Sequence, residues 1–138
     1  MDCIFCKIAK GEIDHNRVYE DEHTVAFLDV NPAVHQGGHT LVIPKKHYEL
    51  ITDVPEEELG ALLSTVKRVS KALMKFGHGV NVVQKNGKVA GQVVPPIHFH
   101  VIPRFEGDEV KFCYWDVHKL DKEKMDEVHE KIKSLLNE

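Results

Sequence analysis

The stretch Gly91-Gln92-Val93-Val94-Pro95-Pro96-Ile97-His98-Phe99-His100-Val101-Ile102-Pro103-Arg104 says most about fold and chemistry in this sequence. From about Ile97 to Ile102, strand-forming residues alternate with histidine, the period of a β-strand. Side chains two apart share a face, so His98 and His100 point one way while Ile97, Phe99 and Val101 point the other. Two imidazoles backed by an apolar face make a compact polar site on a rigid element. Imidazole suits phosphoryl chemistry: its ordinary pKa of ~6.5 keeps the neutral nucleophile abundant, and a cationic neighbour can hold phosphate oxygens. The same residues also fit two other readings. One is a metal centre, since His-x-His with a third histidine is a zinc-ligand pattern; the other is a half-exposed sheet with two satisfied polar side chains.

Upstream, Val18 to Glu20, Thr24 to Val30 and His39 to Ile43 read as short strands, separated by turns at Asp21-Glu22 and at Asn31-Pro32 with Gly37-Gly38. From Pro55 the period changes. Leu59, Leu62, Leu63, Val66, Val69, Leu73 and Phe76 recur at helical steps, after Glu56, Glu57 and Glu58 and before Gly77. A strand near Val80 to Gln84 and a turn at Asn86-Gly87 precede the histidine strand. A final helix is capped by Asp121, with Met125, Val128, Ile132 and Leu135 or Leu136 as its buried stripe. Strands with two separate helices predict an α+β fold, a mainly antiparallel sheet of about five strands, in a single domain over residues 1–138.

With 42% apolar and 29% charged residues, the composition is that of a globular protein. A net charge of -4 argues against a broad basic surface for nucleic acid, and no apolar run approaches the roughly 20 residues that span a bilayer. The N-terminus has no secretion-signal pattern, and Cys3-x-x-Cys6 favours a metal or redox pair over a structural disulfide, so the expected location is cytoplasmic.

The stretch Pro96 to Arg104 resembles the signature of the histidine triad (HIT) family, His-x-His-x-His continuing into Ile-Pro-Arg. Further matches are Cys3-Ile4-Phe5-Cys6-Lys7-Ile8, Val18 to Glu22, Ala26 to Asp29, Gly38 to His47, Asn86-Gly87 and Ala90-Gly91-Gln92, closest to the HINT-like branch widespread in prokaryotes. The resemblance implies that His98 attacks the α-phosphorus of a nucleotide conjugate and that water hydrolyses the nucleotidyl-histidine. It implies that His100 contacts the phosphate, with His39 near the triad from a neighbouring strand. Asp29 would accept from the ribose hydroxyls with Phe27 beside the base, while Asn86, Gly91 and Gln92 surround the phosphate. It further implies a homodimer whose sheets join across the two-fold axis. The substrates it implies are purine (AMP- or GMP-like) nucleoside phosphoramidates or related conjugates. The alternatives are dinucleoside polyphosphate hydrolysis and a nucleotide-binding regulatory module with reduced turnover.

The sequence departs from that pattern in three places. Pro96 stands where the first triad histidine belongs, and proline neither titrates nor binds metal. The family's structural zinc site would be Cys3, Cys6 and His47 with that histidine as fourth ligand, so Pro96 opens it too. The Asp29 to His39 interval is two residues longer than the family pattern, bringing in His35 as a candidate to approach the vacancy at Pro96. Val93 replaces a hydroxyl residue expected to assist the leaving group. His15, His23, His78, His118 and His129 are expected at the surface, Cys113 in packing, and Phe112 to Trp115 in substrate choice.

Overall fold

The computed structural model describes every residue except Met1, Asp2, Asp14, Val94, Phe112 and Cys113. The strands β1 (Arg17–Glu20), β2 (Thr24–Leu28), β3 (Thr40–Pro44), β4 (Gly79–Gln84) and β5 (Phe99–Arg104) form one sheet, antiparallel throughout, in the order β1-β2-β3-β5-β4. The expected α+β architecture with five antiparallel strands is present. Asp21 turns the chain between β1 and β2, its carboxylate accepting the His23 and Thr24 N–H groups at 2.9 Å each.

Helix α2 (Glu56–Phe76) covers one face of the sheet: Leu62, Val66, Val69 and Leu73 meet Ala26, Val42, Phe99 and Val101. Helix α1 (Ile4–Ala9) lies on the other face, with Ile8 and Ala9 against Val25, Phe27, Leu41 and Ile43. Covered on both sides, β2 and β3 bury nearly every residue, which is why they read as continuous apolar runs rather than alternating ones. The buried hydroxyls of Thr24 and Thr65 satisfy each other at 2.7 Å across the sheet–helix interface.

Three features differ from the sequence expectation. Helix α1 has only six residues, too few for a helical period to register, and Cys3 Sγ caps it by accepting the Cys6 N–H at 3.1 Å. His98 precedes β5 rather than lying within it. The last helix, α3 (Lys122–Leu136), has the predicted Asp121 cap, which accepts the Lys124 N–H at 2.8 Å, but buries no residue. Met125 is 52% exposed and Ile132 50%. None of the buried apolar clusters among the described residues includes a residue of α3. Of the segment assigned to substrate choice, Tyr114 and Trp115 are exposed; Phe112 and Cys113 lie outside the described residues.

Candidate active site

The chemistry-bearing side chains gather on the α1 face of the sheet. Register sets Phe27 opposite Leu41 and Leu41 opposite His100. The β2–β3 pairing continues past the strands, where the Asp29 N–H donates to the His39 carbonyl at 2.8 Å. Phe27, Asp29, His39, Leu41 and His100 therefore share one face. His98 joins them from the approach to β5, its ring centroid 4.8 Å from that of His100. Phe5 of α1 sets its ring edgewise to His98 at 5.1 Å and to Phe27 at 5.7 Å. A cavity of about 360 Å³ opens here, apolar along Phe5, Ile8, Phe27 and Leu41 and polar at Asp29, Lys85, His98 and His100, with His39 behind His100.

Hydrogen bonds assign the imidazole protons. The Ala33 N–H donates to His39 Nδ1 at 3.0 Å, so that nitrogen accepts. Neutral His39 then carries its proton on Nε2 and donates it to His100 Nδ1, also at 3.0 Å. His100 is left with its proton on Nε2, a donor available to the cavity. His98 Nδ1 lies 2.9 Å from the Pro96 carbonyl oxygen, which can only accept. Nδ1 is the protonated nitrogen there, and Nε2 holds the lone pair. Burial holds His39 below its ordinary pKa, against the opposing charge of Asp29, whose Oδ2 is 3.8 Å from His39 Nε2. Burial, then the charges of His98, His39 and Lys85, push His100 down to about 4. The relay is uncharged at neutral pH.

Asn86 and Gln92 turn away from this cavity. Asn86 Oδ1 accepts the Ile51 N–H at 2.8 Å, and Gln92 bridges the Gly87 N–H (2.8 Å) and the Glu49 carbonyl (2.7 Å). They brace the β4–β5 connection, while Gly91, in the left-handed region at φ +95, reaches the cavity wall. Two polar wall residues escaped the sequence reading. His15, expected at the surface, lines the cavity with its ring edge on Phe27 at 5.6 Å. Lys85 occupies the position that β4–β5 pairing, carried one step past Gln84–Phe99, sets across from His98; extending that register was the signal available in the sequence. His35 is exposed and lines a separate depression with Glu106 to Glu109, away from Pro96.

A second cluster lies at the N-terminus. Cys3, Cys6 and His47 bring one ligand atom each within 4.8 Å of one another, and Cys6 Sγ is 3.1 Å from His47 Nδ1. Burial and the hydrogen bond from Cys3 raise the Cys6 thiol to about 11, against the opposing charge of Lys10. Two sulfurs and one imidazole nitrogen fit three corners of a tetrahedral zinc site. The Ile97 N–H donates to the Tyr48 carbonyl at 2.7 Å, which brings Pro96 beside the His47 segment, and the proline side chain offers no metal donor.

The HIT domain family matches residues 10–107. An uncharacterised HIT-like protein of Methanocaldococcus jannaschii is 50% identical over 95% of this chain and 98% of its own. An adenosine 5'-monophosphoramidase of Candida albicans is 38% identical over 97% and 91% of the two chains. An adenylylsulfatase of Arabidopsis thaliana is 40% identical over 83% of this chain and 56% of its own. Among solved structures, a Streptococcus mutans protein superposes with a TM-score of 0.90 at 36% identity, covering 98% of this chain and 85% of that one. A zinc-bound histidine triad family protein of Mycobacterium smegmatis superposes with a TM-score of 0.73 at 34% identity, covering 98% and 95%. Strand order, the His98–His100 site and these matches agree: the chain belongs to the HIT family.

Proposed function

We propose that this protein hydrolyses, or transfers the nucleotidyl group of, purine nucleoside phosphoramidates or related nucleoside monophosphate conjugates through a nucleotidyl-His98 intermediate. The observation that carries the reading is the 2.9 Å contact of His98 Nδ1 with the Pro96 carbonyl. It leaves the Nε2 lone pair free, and it gives the positive charge that forms on phosphorylation a backbone oxygen to rest against. The His100 Nε2–H is placed to donate to a phosphate oxygen. The slot of Ile8, Phe27, Leu41 and His15 suits a purine. Asp29 spends Oδ1 on the Asn31 N–H at 2.8 Å and keeps Oδ2 for a ribose hydroxyl.

Incubation with an adenosine 5'-phosphoramidate labelled at phosphorus, followed by rapid quench and mapping, should place AMP on His98, and His98→Ala should abolish both adduct and turnover. Turnover untouched by His98→Ala would sink the mechanism. Cys3, Cys6 and His47 would hold a structural zinc that ties α1 to the β3–α2 loop and takes no part in the reaction. The protein would work as a cytoplasmic homodimer, with β4 as the outer strand through which two sheets join and Val82 half exposed along it.

A further inference from the structure

We propose that Lys85 is a specificity-determining residue that binds the departing group, so that this site favours nucleotidyl conjugates whose leaving group is a strong-acid oxyanion over those that release an amine. The inference rests on the nucleotidyl-His98 reading above and names its substrate class.

Three observations carry it. Lys85 lines the same cavity as His98 and His100, on the wall formed by the β4–β5 connection together with Gly91 and Val93. The apolar slot and Asp29 lie on the opposite wall, contributed by α1 and β2. A displacement at phosphorus runs in line, so the departing group must lie opposite His98 Nε2 and away from the nucleoside slot. Secondly, the lysine is accommodated there: a Cβ added at Gly91 would come within 3.1 Å of Lys85 Cδ and 3.4 Å of Nζ. The Lys85 ammonium has no ion-pair or hydrogen-bond partner among the described residues, while its carbonyl accepts from Gln84 Nε2 at 3.1 Å, so the charge is available to the cavity. Thirdly, the other groups on this wall cannot give a proton to a leaving group. Val93 is an exposed hydrocarbon and Gly91 has no side chain. Low His39 and His100 pKa values, to which Lys85 contributes, leave its ammonium as the fixed positive charge of the site.

For a mixed anhydride such as adenylyl sulfate, the His98 Nε2 lone pair forms a bond to phosphorus. The bridging P–O bond breaks, and sulfate leaves with its electron pair as a stable dianion that needs no proton. Water then attacks phosphorus, the P–Nε2 bond breaks, AMP leaves, and the water proton passes to solvent. For a phosphoramidate, the P–N bond must break with protonation of the departing nitrogen. A lysine ammonium stabilises the first departure and repels the protonated amine of the second.

The test compares kcat/KM for adenylyl sulfate and for adenosine 5'-phosphoramidate in wild type, Lys85→Met and Lys85→Arg. Loss of a charge-assisted contact should lower the sulfate reaction of Lys85→Met at least about tenfold. The phosphoramidate reaction should fall by less than about threefold, or rise, and Lys85→Arg should recover most of the sulfate rate. Equal losses on both substrates would assign Lys85 to the shared α-phosphate, and no loss would remove it from the site; either result overturns the proposal. Quench labelling of the wild type separates the two levels. Label on His98 with an unmoved ratio refutes the role of Lys85 alone, whereas failure of both substrates to label His98 refutes the nucleotidyl-histidine reading and this proposal with it.

Discussion

Acid should destabilise this fold through one imidazole before any carboxylate matters. His100 accepts the His39 proton on Nδ1 and is held at about 4 by burial, with His98, His39 and Lys85 adding to the effect and Asp29 opposing it. The unfolded chain takes up a proton on this residue near 6.5, while the folded chain does not. Stability is therefore untouched above that pH, falls as pH drops through 6.5, and levels off below about 4, where the folded form titrates too. The full gap corresponds to about 3 kcal/mol, and partial solvent access of the ring reduces it to roughly 1–2 kcal/mol. His39, lowered by burial, acts in the same direction. Urea unfolding of wild type and His100→Gln at intervals between pH 7.5 and 4.5 measures the difference. A glutamine keeps an acceptor for His39 and cannot titrate, so its stability should lose roughly 1–2 kcal/mol less across the window. His129→Gln on the exposed α3 surface is the control and should follow wild type. Parallel curves for wild type and His100→Gln would refute the neutral relay. So would a nitrogen NMR titration with His100 Nδ1 protonated at pH 6.

The remaining predictions concern metal and packing. Purified wild type should carry zinc, and Cys6→Ser should lose it and unfold at lower urea; equal metal content by mass spectrometry would dissociate Cys6 from the metal. Gly38 sits at φ +88, and a Cβ there would come 2.8 Å from Phe76 Cε2. Gly38→Ala should cost about 1–3 kcal/mol of unfolding free energy, and a loss below about 0.5 kcal/mol would show that the turn tolerates a side chain. Leu62 is fully buried against the sheet, so Leu62→Ala should cost about 2–5 kcal/mol in the same measurement. A change under 1 kcal/mol would mean that α2 does not anchor the core.

How much of this was legible in the sequence follows from periodicity. The α2 stripe from Leu59 to Leu73 and the alternation around His98 and His100 persist over enough residues to register, and they fix the helix, the strand and the shared face. Pairing distant strands adds a second layer: once β3 runs beside β5, His39 falls diagonally next to His100. The cavity wall was not legible in the same way. Ile8 and Phe5 lie on a six-residue helix, His15 follows it in a loop, and neither has a period to read. Asn86 and Lys85 are neighbours in a turn, where a shift of one residue decides which faces the cavity. The family resemblance pointed to asparagine, and the continued β4–β5 register favours lysine. The α3 stripe misled for the opposite reason. An apolar period reports a face that avoids water, not a surface waiting to cover it.

Pro96 bears on the two clusters differently, along the line between main chain and side chain. What orients His98 is a carbonyl, and every residue at position 96 has one. Replacing the side chain therefore leaves the tautomer of His98 untouched, with Nδ1 still donating to the backbone and Nε2 still carrying the lone pair. His100 takes its orientation from His39, and His39 from the Ala33 N–H, so the second imidazole does not depend on position 96 either. The Cys3, Cys6 and His47 cluster differs, because it is built from side-chain atoms and the Pro96 side chain has no donor to add. One residue thus bears on two sites in different ways. The orientation of His98 rests on a main-chain oxygen, which Pro96 supplies, whereas the Cys3, Cys6 and His47 cluster draws on side-chain atoms, to which Pro96 adds none.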